Sequence, residues 1–137
     1  SYCKMEKINP STQVAVALGI PKTDSCYRLI RVRNVKESPL VYTITYLKCV
    51  AELPLDEKYY MESLYKFLKD TYQIVIEKGE DTLEAALPSE EVQKFLEISP
   101  AMPVFKRVRK TYLPGNEVFE YSICYYPGNR YKYTVDL

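Results

Sequence analysis

Two-residue alternation dominates the chain. In Leu29-Ile30-Arg31-Val32-Arg33-Asn34, apolar Ile30 and Val32 interleave with Arg31 and Arg33. A strand here turns its apolar side toward a core and sets two cations on the other side, roughly 7 Å apart. The strand runs over Cys26–Val35, Glu37-Ser38-Pro39 supplies turn chemistry, and Leu40–Cys49 returns as its partner. A second hairpin follows late in the chain: Val104–Tyr112, a Pro114-Gly115-Asn116 turn, and Val118–Tyr126. There the alternation puts Glu120, Ser122, Cys124 and Tyr126 on one face and Phe119, Tyr121, Ile123 and Tyr125 on the other. Further strands are predicted at Lys4–Asn9, at Gln73–Ile76 continuing over Thr82–Leu87 after an interruption at Gly79, and at Tyr131–Leu137 beyond Pro127-Gly128-Asn129.

Helical spacing is confined to short stretches. Ser11 caps a helix that ends at Leu18 and Gly19, and Ser89 caps another that runs to about Leu96, with Glu90 and Glu91 facing its positive end. Ser63 opens a third, with Leu64, Phe67 and Leu68 on one side. The stretch from Ala17 to Arg28 resembles that from Phe95 to Lys106, each a short helix feeding a hairpin. This predicts a sheet built from two similar helix–hairpin units. Strands outnumber helices and short turns join them, so the fold class is α+β with a mainly antiparallel sheet flanked by helices.

Candidate chemistry follows from the faces. A helix start exposes unpaired backbone N–H groups, and Ser63 adds a hydroxyl there and Tyr65 a phenol. With Arg31 and Arg33 nearby this would hold a phosphate or carboxylate. Each feature also has a plainer explanation. Paired arginines can be a solvated face, Ser63 a simple cap, Glu120 the partner of Arg107 or Arg109, and Tyr126 a core residue with its hydroxyl at the surface.

Composition narrows the function. The 137 residues carry 19 basic and 18 acidic side chains, a net charge of +1, which argues against a chain whose main task is binding nucleic acid. No apolar run approaches the length of a membrane span, no secretory signal opens the chain, and Ser1-Tyr2-Cys3-Lys4 reads like a cut before a strand. Cys3, Cys26, Cys49 and Cys124 are scattered and histidine is absent, so zinc binding and Ser-His or Cys-His catalysis are disfavoured. The cysteines are expected reduced and semi-buried in a cytoplasmic protein, with no metal or cofactor.

The succession "LGIPKTDSCYRLIRVRNVKESPLVYTITYL", "SLYKFL", "EEVQKFLEIS" and "VFEYSICYYPGNRYKYTVDL" resembles a UTRA domain. This is the effector-binding domain of GntR-type (HutC subfamily) bacterial transcription regulators. The resemblance covers essentially the whole chain. It implies a chorismate-lyase-like fold with a buried ligand site, homodimers, and a DNA-binding winged helix that precedes this domain and is missing here. In members that sense sugar phosphates, the positions of Arg31, Arg33, Ser63 and Tyr65 hold the phosphate, and those of Glu120 and Tyr126 contact the sugar. One departure stands out: Thr43 occupies a position where the family often has glutamate. Other members sense fatty acids, histidine-pathway intermediates or phosphonates. The expected function is therefore sensing a phosphorylated sugar or related anionic metabolite. The alternatives are a chorismate-lyase-like enzyme acting on a small carboxylate, and a dimerisation module without a working site.

Overall fold

The computed structural model describes all residues from Ser1 to Leu137. Six strands form one antiparallel sheet: β1 (Tyr2–Ile8), β2 (Cys26–Val35), β3 (Ser38–Lys48), β4 (Lys78–Ala86), β5 (Val104–Leu113) and β6 (Glu117–Pro127). Their order across the sheet is β1-β2-β3-β6-β5-β4. Three helices flank it: α1 (Thr12–Leu18), α2 (Leu64–Tyr72) and α3 (Glu90–Leu96). The order is its own mirror about the β3–β6 seam. Strand, helix and hairpin recur as β1-α1-β2-β3 and β4-α3-β5-β6, the repeat the sequence suggested.

The helices form where the caps place them. Ser11, Ser63 and Ser89 each accept the backbone N–H three residues on, and Gly19 closes α1 in the left-handed region at φ 68°. On one face of the sheet, α1 buries Val14 and Leu18 against Cys26 and Tyr121, while α3 buries Val92 and Leu96 against Val32, Tyr42 and Val104. On the other face, Leu64 and Leu68 of α2 pack with Tyr60, Leu29, Leu47 and Phe119. This helix covers one end of that face and leaves the other end open.

Several expectations change. The first hairpin turns at Lys36 and Glu37, both left-handed, because that geometry follows the strand twist; Pro39 lies within β3 instead. Gln73 ends α2 in a left-handed conformation, so no strand begins there, and β4 passes through Gly79 without interruption. Phe119 packs with Leu29 and Leu47 and not with the Tyr121 face, because a register shift between β5 and β6 at Thr111 and Tyr112 resets the alternation. Residues 131–137 form no strand. β6 already pairs with β3 on one side and β5 on the other, so a following segment has no place beside it. The chain leaves the sheet where the Gly128 N–H meets the Pro103 carbonyl at 2.8 Å, an approach so close that a Cβ on Gly128 would lie 2.6 Å from that oxygen. All four cysteines are free, and Cys49 is exposed just past the end of β3.

Candidate functional site

The open end of the α2 face is a cavity of about 520 Å3, within the range that holds small metabolites. Register explains its floor. Cys3, Arg31, Thr43, Cys124 and Arg107 lie opposite one another in a row across β1, β2, β3, β6 and β5. The adjacent same-face row runs Leu29, Thr45, Ser122, Arg109 and Asp81. The start of α2 forms one wall. Arg31, Arg33, Thr43, Ser63, Tyr65, Glu120 and Tyr126, the seven residues singled out in the sequence, all line this one hollow.

Glu120 is only 3% exposed, and its carboxylate is fully engaged. It accepts from the Tyr65 phenol at 2.6 Å, from the Thr111 hydroxyl at 3.0 Å and from the Ser122 hydroxyl, whose oxygen also lies 3.0 Å from that of Thr45. The sequence left open a pairing with Arg107 or Arg109, and neither occurs. Directly across from Glu120 stands Thr111, and hydroxyl donors take the place of a cation. Burial, and then the neighbouring Glu120 charge, push the Tyr65 phenol far above its ordinary pKa, so it stays protonated and donating. Tyr65 therefore ties the first turn of α2 to the floor.

The arginines divide sharply. Arg109 holds Asp81 through two bonds at 2.7 and 2.9 Å, which raises the pKa of Arg109 and lowers that of Asp81. Arg31 occupies the equivalent place in the first half of the repeat. It faces Cys3 on the outer strand and Thr43 on the inner, as Arg109 faces Asp81 and Ser122. Cys3 offers no charge, and the Arg31 guanidinium has only the Glu62 carbonyl at 3.4 Å. Burial pulls its pKa below the usual guanidinium value. Glu62 immediately precedes Ser63, so Arg31 stands at the positive end of α2 with no carboxylate in ion-pair contact. Arg33 and Arg107 likewise make no ion pair.

Sequence reading treated Arg107 and Arg109 only as partners for Glu120. A signal for both was present: Arg-Val-Arg occurs twice, at Arg31-Val32-Arg33 and Arg107-Val108-Arg109, once in each half of the repeat. Ser122, which supports Glu120, shares its face in the strand alternation, whereas Thr45, which also lines the cavity, carried no comparable signal.

Comparison with known proteins fits this geometry. The family model described as the UTRA domain matches residues 1–132. The chain belongs to the UTRA domain family. The Escherichia coli mannosyl-D-glycerate transport/metabolism system repressor MngR is 29% identical over 118 residues, covering 86% of this chain and 49% of MngR. The ligand-binding domain of a GntR-family transcriptional regulator from Bordetella bronchiseptica superposes with a TM-score of 0.87 at 18% identity, covering 97% of this chain and 87% of that one. The effector domain of PhnF from Mycobacterium smegmatis gives 0.82 at 19%, covering 99% and 87%. This UTRA domain thus spans about half the length of its curated relative. None of its helices is long and apolar enough to cross a membrane.

Proposed function

We propose that this UTRA domain senses a small anionic effector, a phosphorylated sugar or a sugar derivative bearing an acid group, for a GntR-type transcription regulator. One observation carries the reading: a half-buried arginine without an ion-pair partner stands at a helix start, inside a cavity that also holds a sequestered carboxylate and phenols. The anionic end docks on Arg31, Arg33 and the unpaired N–H groups beginning α2, beside Ser63. Glu120 and Tyr126 read hydroxyls of the sugar, and Thr43 adds a hydroxyl between them and Arg31. MngR is named for a system handling mannosyl-D-glycerate, a sugar joined to an acid, which suits this arrangement. The relatives are transcription regulators, which sets the lyase alternative aside.

Binding acts through populations. An effector shifts the regulator between states only by as much as it prefers one of them. Contact with DNA belongs to a separate part of the regulator, in keeping with the near-neutral charge of this chain, and places the protein in the cytoplasm. Two copies pair to make the lever. Tyr133, Val135 and Leu137, exposed past the sheet, support such a contact. Sedimentation should give twice the chain mass, and a monomer at every concentration would count against pairing.

The effector reading is tested by thermal shift against hexose phosphates and glycerate-bearing sugars. A compound at a hundred times its Kd adds about 2.7 kcal/mol of stability, a rise of about 10 °C for a domain of this size. A panel that leaves the melting temperature unmoved would sink the reading.

A further inference from the structure

Building on the effector site just described, we propose that the cavity contains a second anion subsite centred on Arg107, so that the preferred effector carries an acid group at each end. Arg31 and Arg107 lie in the same row of the sheet with Thr43 and Cys124 between them. Three interstrand steps separate their backbones, about 14 Å. Both side chains line the same hollow. No carboxylate stands between them on the floor, since Thr43 offers a hydroxyl and Cys124 a thiol.

Arg107 is held in place without being neutralised. Its guanidinium lies 5.6 Å from the ring centre of Tyr126, and one of its terminal nitrogens is 3.4 Å from the Cys124 sulfur. Tyr126 is backed in turn by Tyr131, stacked at 4.1 Å, and Tyr131 meets Phe105 edge-on. The Nε of Arg107 is buried and has no hydrogen-bond partner. A half-buried guanidinium whose buried Nε donor is unmet and which has no ion pair gains from a ligand acid that completes it. The contrast with Arg109 is instructive. That side chain, two residues on and on the same face, is satisfied by Asp81. Arg107 lies opposite Leu83 on the same outer strand, which can supply nothing.

A ligand anchored by its phosphate at Arg31 extends along the row past Thr43. Its far end reaches Arg107 beside Tyr126. A neutral hydroxyl there leaves the guanidinium uncompensated, whereas a carboxylate or second phosphate completes it. The ligand class is therefore a sugar acid phosphate or sugar bisphosphate, with two acids at opposite ends of a short polyol.

The test compares two probes by calorimetry on the full chain: glucose 6-phosphate, with one acid, and 6-phosphogluconate, with a second at the far end. The wild type should bind 6-phosphogluconate roughly ten- to hundredfold more tightly. Arg107→Gln should collapse that preference, and Arg107→Lys, which keeps the charge, should retain part of it. Circular dichroism and unliganded melting report whether each variant folds, and the Lys variant carries the test if the Gln variant does not. Glucose 6-phosphate binding with no gain from the second acid, or a gain that survives Arg107→Gln, overturns the subsite and leaves the Arg31 site standing. Failure of both probes at millimolar concentration overturns both.

Discussion

Replacing Arg31 with alanine should weaken effector binding roughly ten- to hundredfold, the worth of charge-assisted contacts at about 1.5–3 kcal/mol, while leaving the fold intact. The two effects separate because Arg31 contributes little to folding. It has no ion pair, and its one polar contact is a 3.4 Å bond to the Glu62 carbonyl. Half-burying a guanidinium beside the positive end of α2 costs solvation that the chain returns only in part, since burial outweighs the favourable neighbours, Glu120 among them. The unliganded melting temperature of Arg31→Ala should therefore match the wild type or exceed it. Arg109 is the natural control. It fills the equivalent place in the second half of the repeat but holds Asp81. Arg109→Ala should lower stability by about 1 kcal/mol, a modest loss because both partners are partly exposed. Thermal melts with and without effector separate the two patterns. Undiminished affinity in Arg31→Ala would place the anion elsewhere.

The pair Arg31 and Arg109 also shows what a sequence can and cannot reveal. Alternation alone put Arg31 and Arg33 on one face and Val32 on the other, and the structure agrees: Val32 packs beside Leu96 while both arginines line the cavity. Ser63 was legible as a cap because capping is a local interaction. The partners of Glu120 were not legible, because they depend on which strands are neighbours and in what register. A one-residue shift near Thr111 decides that Glu120 meets Thr111 and that Arg109 meets Ser122. The same shift moved Phe119 to the α2 side. The Tyr131–Leu137 alternation reads as a strand by every local criterion and forms none, because pairing needs a free neighbour and β6 has none to give. Local chemistry was readable in the sequence, whereas long-range complementarity, including the absence of an ion pair at Arg31, needed the fold.

Leu68→Ala tests whether α2 is part of the sensing site or only its lid. Leu68 is 1% exposed and sits among Tyr60, Leu29, Leu47 and Phe119. Removing its side chain should cost about 2–5 kcal/mol, a large share of a domain's stability, and lower the melting temperature by about 10 °C or more. Leu18→Ala is the matched comparison. Leu18, at the end of α1, is fully buried on the opposite face of the sheet, against Cys26 and Tyr121, and should cost a similar amount. The two variants should part company when effector is added. α2 carries Ser63 and Tyr65 in its opening turn, and Leu64 and Leu68 are its buried anchors. Loosening those anchors makes the binding-competent state a smaller fraction of the folded ensemble, and apparent affinity falls by that fraction. Loosening α1 leaves the cavity walls as they are. Effector should thus raise the melting temperature of Leu18→Ala by as much as it raises the wild type, and that of Leu68→Ala by clearly less. Equal shifts in both would mean that the anion does not depend on the placement of α2. The Tyr65–Glu120 bond would then be a structural tie and not the link between effector and helix.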